Sequence, residues 1–309
     1  MKVLFAGSPD VALPTLRALH ESDHTVVAVV TQPPAPVGRK QVLVPTSVGS
    51  YAQEHGLPLR TPGSSAELLA AVAEFSPDVA VVVAYGRILD RQSLDSIPGG
   101  WWNVHFSLLP RWRGAAPVQN AILAGDTETG VTLFRIVPEL DAGPVAAAVA
   151  HPVNPHDTSG TLLHKLSLVA PGLVLDFLNQ GDTADAALSE QVGEPTHAPK
   201  FPAGFGHLDL RLEVPAVYRQ FRAVTPEPGA FVIREDTGTV VKVLSGWVDP
   251  DFHPLGPGEL LKAPVGILVG TGSIPFVLER VQPAGKKPMA ATDWFRGLPE
   301  GVRIDVAGK

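Results

Sequence analysis

Three short apolar runs, Val3–Ala6, Val26–Val30 and Val79–Val83, carry no polar interruption and are bounded by turn residues. Val-rich runs of this length read as strands buried on both faces, as in a parallel sheet. Between them the apolar spacing becomes that of helices over Val11–Glu21 and Thr46–His55, and Ala66–Phe75 is rich in helix formers. Strands alternating with helices predict a doubly wound α/β sheet, mostly parallel. Helical character returns over Ala116–Ala124 and Thr161–Asn179. Residues 182–204 are rich in Ala, Thr, Pro and Glu without periodicity and read as a linker. Beyond them Val217–Ala223 reads as one short helix. Gly229–Ile233, Val240–Ser245, Gly266–Val269 and Phe276–Gln282 read as short strands between Gly/Pro turns, which predicts a smaller, OB-like β-barrel. The expected boundaries are 1–184 for a Rossmann-like domain, 185–204 for the linker and 205–309 for the barrel. No internal repeat is present.

Composition changes this picture little. The 309 residues are 45% hydrophobic and 18% charged, ordinary for a globular chain. No apolar run approaches the roughly 20 residues of a membrane helix, and Met1–Gly7 enters a strand pattern directly, without signal-peptide character. Cys is absent, which excludes disulfides, thiolate metal sites and a Cys nucleophile, and a cytoplasmic location is the default that follows. The net charge of −7 argues against nucleic-acid binding when taken alone. Its distribution is uneven. Residues 205–309 hold 12 basic and 12 acidic residues, leaving 12 and 19 of the chain's 24 and 31 for residues 1–204, which carry the whole −7. A neutral C-terminal part leaves room for a local basic patch.

The chemistry concentrates in one stretch. Gly7-Ser8-Pro9-Asp10 follows the first strand where such folds carry ligand loops, but it lacks G-x-G-x-x-G, so a dinucleotide site is not supported. Asn103 and His105 are two residues apart and point the same way if they share a strand. A Pro- and Gly-punctuated turn follows them, and an acid comes later in Leu140-Asp141-Ala142-Gly143-Pro144. Each alone has an ordinary reading: a strand-end His, a capping Asn, a turn-forming Asp. Together they suit acyl or formyl transfer to an amine. Asn103 can donate to a developing oxyanion. His105 can donate beside it when protonated or shuttle a proton when neutral. Asp141 can hold the imidazole orientation and accept the proton of the amine.

The stretch Asn-Val-His-x-Ser-Leu-Leu-Pro-Arg-Trp-Arg-Gly-Ala-Ala-Pro, residues 103–117, resembles the signature of the folate-dependent formyltransferase family. The resemblance runs nearly end to end, through Phe5–Asp10, Val83–Leu89, Ala124–Thr132, Asp157–Leu162 and Thr196–Lys200. Gln282-Pro283-Ala284-Gly285-Lys286-Lys287 is similar to a motif of the tRNA-specific branch, and smaller relatives acting on nucleotides lack that domain. The resemblance implies that Asn103, His105 and Asp141 occupy the catalytic positions. It places Ser107, Leu108, Leu109 and Pro110 along the tetrahydrofolate site and Tyr85, Gly86, Arg87, Ile88 and Leu89 against the pterin, with backbone groups pairing with its polar edge. The implied donor is 10-formyltetrahydrofolate, a co-substrate rather than a tightly bound cofactor. The implied acceptor is the methionine amino group on initiator tRNA, with no metal, no membrane and a monomeric enzyme.

On the tRNA side, the resemblance assigns the acceptor-stem loop to Thr31–Leu43. Relatives usually carry a basic residue at the position of Ala35 and a Lys pair at Gln41-Val42; here only Arg39 and Lys40 remain. Fewer basic residues weaken the phosphate contribution and flatten the salt dependence. Lys286 and Lys287 in their turn are further candidate phosphate contacts. Arg111 and Arg113 face either the RNA end or structural carboxylates, and Trp101-Trp102 reads as core packing. Two other readings stand beside this one: formyl transfer to a small amino sugar or nucleotide, which would not need residues 205–309, and a non-catalytic folate- or RNA-binding protein, which the three catalytic residue types together disfavour.

Overall fold

Parallel pairing of the Val-rich segments builds the first of two units. The structure, a computed structural model, describes residues 1–37, 41–181 and 188–306; Arg39 and Lys40 therefore lie outside the described residues. β1 (Lys2–Gly7) pairs in parallel with β2 (Thr25–Val30). Between them a 3-10 turn at Asp10–Ala12 leads into α1 (Leu13–His20). The α-helix starts at Leu13 rather than at Val11 because Pro14 suits the first turn, where its missing N–H costs nothing.

β3 (Ala35–Val37) and β4 (Val42–Val44) form an antiparallel hairpin. α2 (Ser47–Glu54) is capped by Thr46, whose Oγ1 accepts from the Gly49 N–H at 3.0 Å. β5 (Leu59–Arg60) follows, and then α3 (Ser65–Phe75), capped by Ser64. β6 (Val79–Val83), α4 (Arg91–Leu94), β7 (Trp101–His105), α5 (Pro117–Ala124), β8 (Glu128–Arg135), β9 (Val145–Pro152) and α6 (Ser159–Asn179) complete the series.

The sheet order is β5-β2-β1-β6-β7-β8-β9. From β5 to β7 the strands are parallel; β8 pairs antiparallel with both β7 and β9. The expected mostly parallel sheet is present, and its direction changes at β7, the strand that carries Asn103 and His105. One core lies under it, where Leu4, Ala28, Ala80 and Val82 meet Leu68 and Val72 of α3 and Trp101. Trp101 and Trp102 are each about 1% exposed, and their indole N–H groups donate to the carbonyls of Ser93 and Gly99, as core packing requires.

Two sequence expectations change. α6 is long and apolar enough to cross a membrane by length and composition, contrary to the reading that no run approaches that length. Leu166, Ala170, Val174 and Phe177 bury one face of it, and Phe177 packs on Trp102 with ring centroids 4.3 Å apart. The expected linker is also not free chain over its described part. Ser189 exchanges both backbone hydrogen bonds with Val145, and Ala198 pairs with Arg113, so residues 188–198 belong to the first unit. That unit comprises Met1–Pro117, Glu128–Pro152 and Leu163–Ala198.

The second unit comprises Val118–Thr127, Val153–Leu162 and Pro199–Lys309, so most of α5 and the start of α6 fall in it rather than in the α/β unit. α7 (Val214–Ala223) begins three residues before the expected helix because Pro215 again occupies a first turn. β10 (Ala230–Ile233), β11 (Val240–Val248), β12 (Leu260–Ala263), β13 (Gly266–Val269), β14 (Phe276–Pro283), β15 (Met289–Ala290) and α8 (Ala291–Arg296) follow. The antiparallel order is β10-β11-β14-β13-β12, with β15 on β14. β11 outruns its expected end through a register shift at Ser245 and Gly246, where a side chain on Gly246 would strike the Phe276 ring.

The ladders form an open path. The barrel-like closure comes from the terminal segment: Asp305 N–H donates to Ile233 on β10, and Ile304 N–H donates to Gly258, just before β12. Phe221 of α7, Trp294 of α8 and Ile304 pack on Val232, Val241 and Phe276.

Candidate active site

Three loops meet at the carboxyl ends of β1, β6 and β7, the edge where open α/β sheets bind ligands. On β7 the side chains of Asn103 and His105 share one face, as period-2 alternation requires. Asn103 is half-buried, and among the described residues its amide has no hydrogen-bond partner. His105 is 5% exposed. Its Nε2 lies 2.8 Å from the carbonyl oxygen of Trp112. A carbonyl only accepts, so Nε2 carries the proton and the neutral ring presents a bare Nδ1. That Nδ1 faces Asp141 Oδ2 at 3.7 Å, an ion-pair distance and too long for a hydrogen bond.

This geometry corrects one expected role. The Trp112 carbonyl, not Asp141, holds the imidazole in orientation. Asp141 sits in the left-handed region (φ +48°), and its Oδ2 accepts from the Gly114 N–H at 2.7 Å. The carboxylate thus faces the ring while held on the Gly114 N–H. Burial pushes the His105 pKa down, while the Asp141 charge and the Trp112 hydrogen bond push it up; burial dominates. Of the two states open to His105 in the sequence, the neutral one is favoured.

The turn after β7 is tied to β8. Thr132, opposite His105 in the ladder, donates from its hydroxyl to the Ser107 carbonyl at 2.6 Å and accepts from the Leu109 N–H at 3.2 Å. Ser107 is buried, and its hydroxyl donates to the Arg111 carbonyl at 2.6 Å. Ser107 therefore shapes the turn instead of lining an open site, while Leu108, Leu109 and Pro110 remain half-buried beside it.

The loop after β6 divides in the same way. The Tyr85 ring turns into the core and is 2% exposed, so its side chain packs in the core rather than along an open site. Its carbonyl accepts from Ser8 Oγ and Gln32 Nε2 at 3.2 and 3.1 Å, which anchors the loop. The Arg87 guanidinium is used by the carbonyls of Pro62 and Gly63, and Leu89 packs against the core. What faces outward is Gly86 (φ +82°) and Ile88, 95% exposed. Among the described residues no backbone hydrogen bond engages Gly86, Arg87 or Ile88. A flat heterocycle with a polar edge fits such a segment: free backbone donors and acceptors next to one exposed apolar side chain.

Lys286 and Lys287 are exposed in the β14–β15 turn of the second unit, where Gln282 Nε2 donates to the Lys286 carbonyl at 3.0 Å. Arg113, left open in the sequence, donates to the Gln191 side-chain oxygen rather than to a carboxylate. Sequence reasoning missed Trp112, Thr132, Gln191 and Gln32. The first acts through a backbone carbonyl, invisible to any residue-type argument, and Gln191 lies in the stretch read as linker.

A family model described as "Formyl transferase" matches residues 1–176, and one described as "Formyl transferase, C-terminal domain" matches residues 202–299. A methionyl-tRNA formyltransferase from Paenarthrobacter aurescens (strain TC1) is 45% identical over 305 residues, covering 98% of this chain and 99% of its own. Among solved structures, HypX from Aquifex aeolicus in complex with tetrahydrofolic acid superposes with a TM-score of 0.69 at 16% identity, over 97% of this chain and 48% of that one. A methionyl-tRNA formyltransferase from Clostridium thermocellum superposes with a TM-score of 0.59 at 14% identity, over 81% of this chain and 95% of that one. At these identities the superpositions speak to fold alone.

Proposed function

We propose, from the premise that this chain belongs to the formyl transferase family, that it transfers a formyl group from 10-formyltetrahydrofolate to the amino group of methionyl-initiator tRNA, the step that readies it for translation initiation. Full-length similarity to a relative named methionyl-tRNA formyltransferase supports the tRNA acceptor over the amino-sugar and nucleotide ones. The observation that carries the mechanism is the approach of a neutral, buried His105 to the Asp141 carboxylate at 3.7 Å, beside the Asn103 amide, which has no partner among the described residues.

The folate supplies the formyl carbon and a leaving nitrogen. The Asn103 amide donates to the formyl oxygen as it gains charge; such donors are worth roughly 10²–10³ in rate. The bare Nδ1 of His105 receives a proton, and the resulting imidazolium is stabilised on one side by Asp141 and on the other by the Trp112 carbonyl. Asp141 Oδ2 is occupied by Gly114, and its other oxygen, with no partner among the described residues, is open to the amine. Burial keeps His105 neutral before reaction, so it can take a proton from the attacking amine and return it to the leaving nitrogen. Gly86–Ile88 and Leu108–Pro110 supply the surface for the pterin. Lys286 and Lys287, with Arg39 and Lys40, supply phosphate contacts. The reading takes the enzyme as a cytoplasmic monomer.

Purified protein, 10-formyltetrahydrofolate and charged initiator tRNA test this. Formylated methionine on the initiator and little on the elongator tRNA is expected. Folded, folate-binding protein that formylates neither sinks the reading.

A further inference from the structure

The segment expected to be a linker grips the candidate site from both sides. Ser189 is paired with Val145 next to the Asp141 turn, and the Thr196 Oγ1 and carbonyl accept from the N–H groups of Trp112 and Arg113, each at 2.8 Å. Gln191 stands between. Its Nε2 donates to the carbonyls of Asp141 and Gly143 at 2.8 and 2.9 Å. Its Oε1 accepts from Arg113 Nε and Nη2 at 3.0 and 2.6 Å. A primary amide has two donors and two acceptor lone pairs, and here all four meet a group of the right polarity. The flipped amide would set N–H against N–H and oxygen against oxygen.

We propose that Gln191 is a positioning residue for formyl transfer: by tying the Asp141–Gly143 turn to Arg113, it holds the Asp141 carboxylate on the Gly114 N–H and opposite the His105 imidazole. The inference rests on the function proposed above. Asp141 gains from such a hold because it sits in the left-handed region, which Asp tolerates better than most residues with a Cβ but which remains sparsely populated. The turn's own backbone bond, from the Ala142 N–H to Glu139, is long at 3.3 Å. Gly143 packs closely on β8, where an added Cβ would fall 1.8 Å from the Arg135 carbonyl oxygen. On the other side, Arg113 directly precedes Gly114, whose N–H binds the carboxylate. One amide therefore fixes both partners of the hydrogen bond that aims Asp141. A catalytic group displaced by about 1 Å commonly costs about 10²-fold in rate.

Gln191→Met keeps the side chain's length and removes all four hydrogen bonds; Gln191→Asn keeps an amide one methylene short. The full-length Gln191→Met protein is expected to lose about 10²-fold in single-turnover formylation, with Gln191→Asn losing less and KM for both substrates little changed. Its His105 imidazole, titrated by NMR of the ring protons, is expected to move to lower pH, because the carboxylate that favours the charged ring is no longer held beside it. If Gln191→Met does not fold, Gln191→Asn carries both readouts in the same direction. The titration needs no formyl transfer, so it decides the inference even where the acceptor assignment fails. A wild-type rate, or a His105 titration that does not move while only stability falls, overturns it.

Discussion

Replacing Thr132 by Val tests whether the turn after β7 is held by one hydroxyl. Val has the shape and β-branching of Thr, so packing at this fully buried position is preserved. What goes is a 2.6 Å bond to the Ser107 carbonyl and a 3.2 Å bond from the Leu109 N–H. Each contributes about 1 kcal/mol net, and a buried group left without a partner adds about 1–3 kcal/mol. Ser107 is buried and takes that penalty in full; Leu109 is half-buried and is partly rescued by water. The sum is about 3–5 kcal/mol, or a fall in the melting temperature of the α/β unit of about 6–20 °C. Calorimetry and amide exchange at Leu109 read it, with Thr132→Ser as the control that keeps the hydroxyl and loses one methyl, at about 0.5–1.5 kcal/mol. KM for the folate should rise in the Val protein, because Leu108–Pro110 loses its anchor. A Val variant as stable as the Ser variant, with Leu109 still protected, would refute the reasoning.

The pH dependence has a definite sign. Burial lowers the His105 pKa, so activity is lost as pH falls through that lowered value; Asp141 raises it, so Asp141→Asn should move the acid limb of kcat/KM to lower pH as well as lowering the rate. An unmoved limb would separate the two residues. The same shift makes the neutral His105 stabilising above its unfolded value near about 6.5, with that contribution lost as pH falls from there toward the folded value, which denaturation midpoints against pH will show. Lys286→Ala with Lys287→Ala should raise KM for tRNA and reduce the slope of log affinity against log salt by about 2, leaving the folate KM alone; an unchanged slope makes the pair merely solvated.

The parallel sheet was legible because Val3–Ala6, Val26–Val30 and Val79–Val83 are nearly pure apolar runs, which only a strand covered on both faces can use. β9 was not legible: Val145–Pro152 is Ala-rich, weak in strand propensity, and lies at the sheet edge with much of its length exposed. α6 shows the opposite failure, a helix apolar enough for a bilayer whose buried face packs on Trp102. At the site, Asn103 and His105 were readable from their spacing and motif. The means by which they are held was not. A backbone carbonyl at Trp112, a hydroxyl on a neighbouring strand and an amide some fifty positions from Asp141 leave no local pattern, because long-range hydrogen bonds are specified by the fold and not by spacing. The same reason misplaced the linker: residues 188–198 have no periodicity because they are bound by irregular pairings to two turns.

Asn103 offers the most direct test of the central claim, since its amide has no other partner among the described residues and its removal should disturb little else. Single-turnover formylation of charged initiator tRNA by Asn103→Ala, with folate saturating, isolates the oxyanion contribution. The account predicts a loss of roughly 10²–10³-fold at an unchanged melting temperature and folate affinity. A rate within a few-fold of wild type would contradict it.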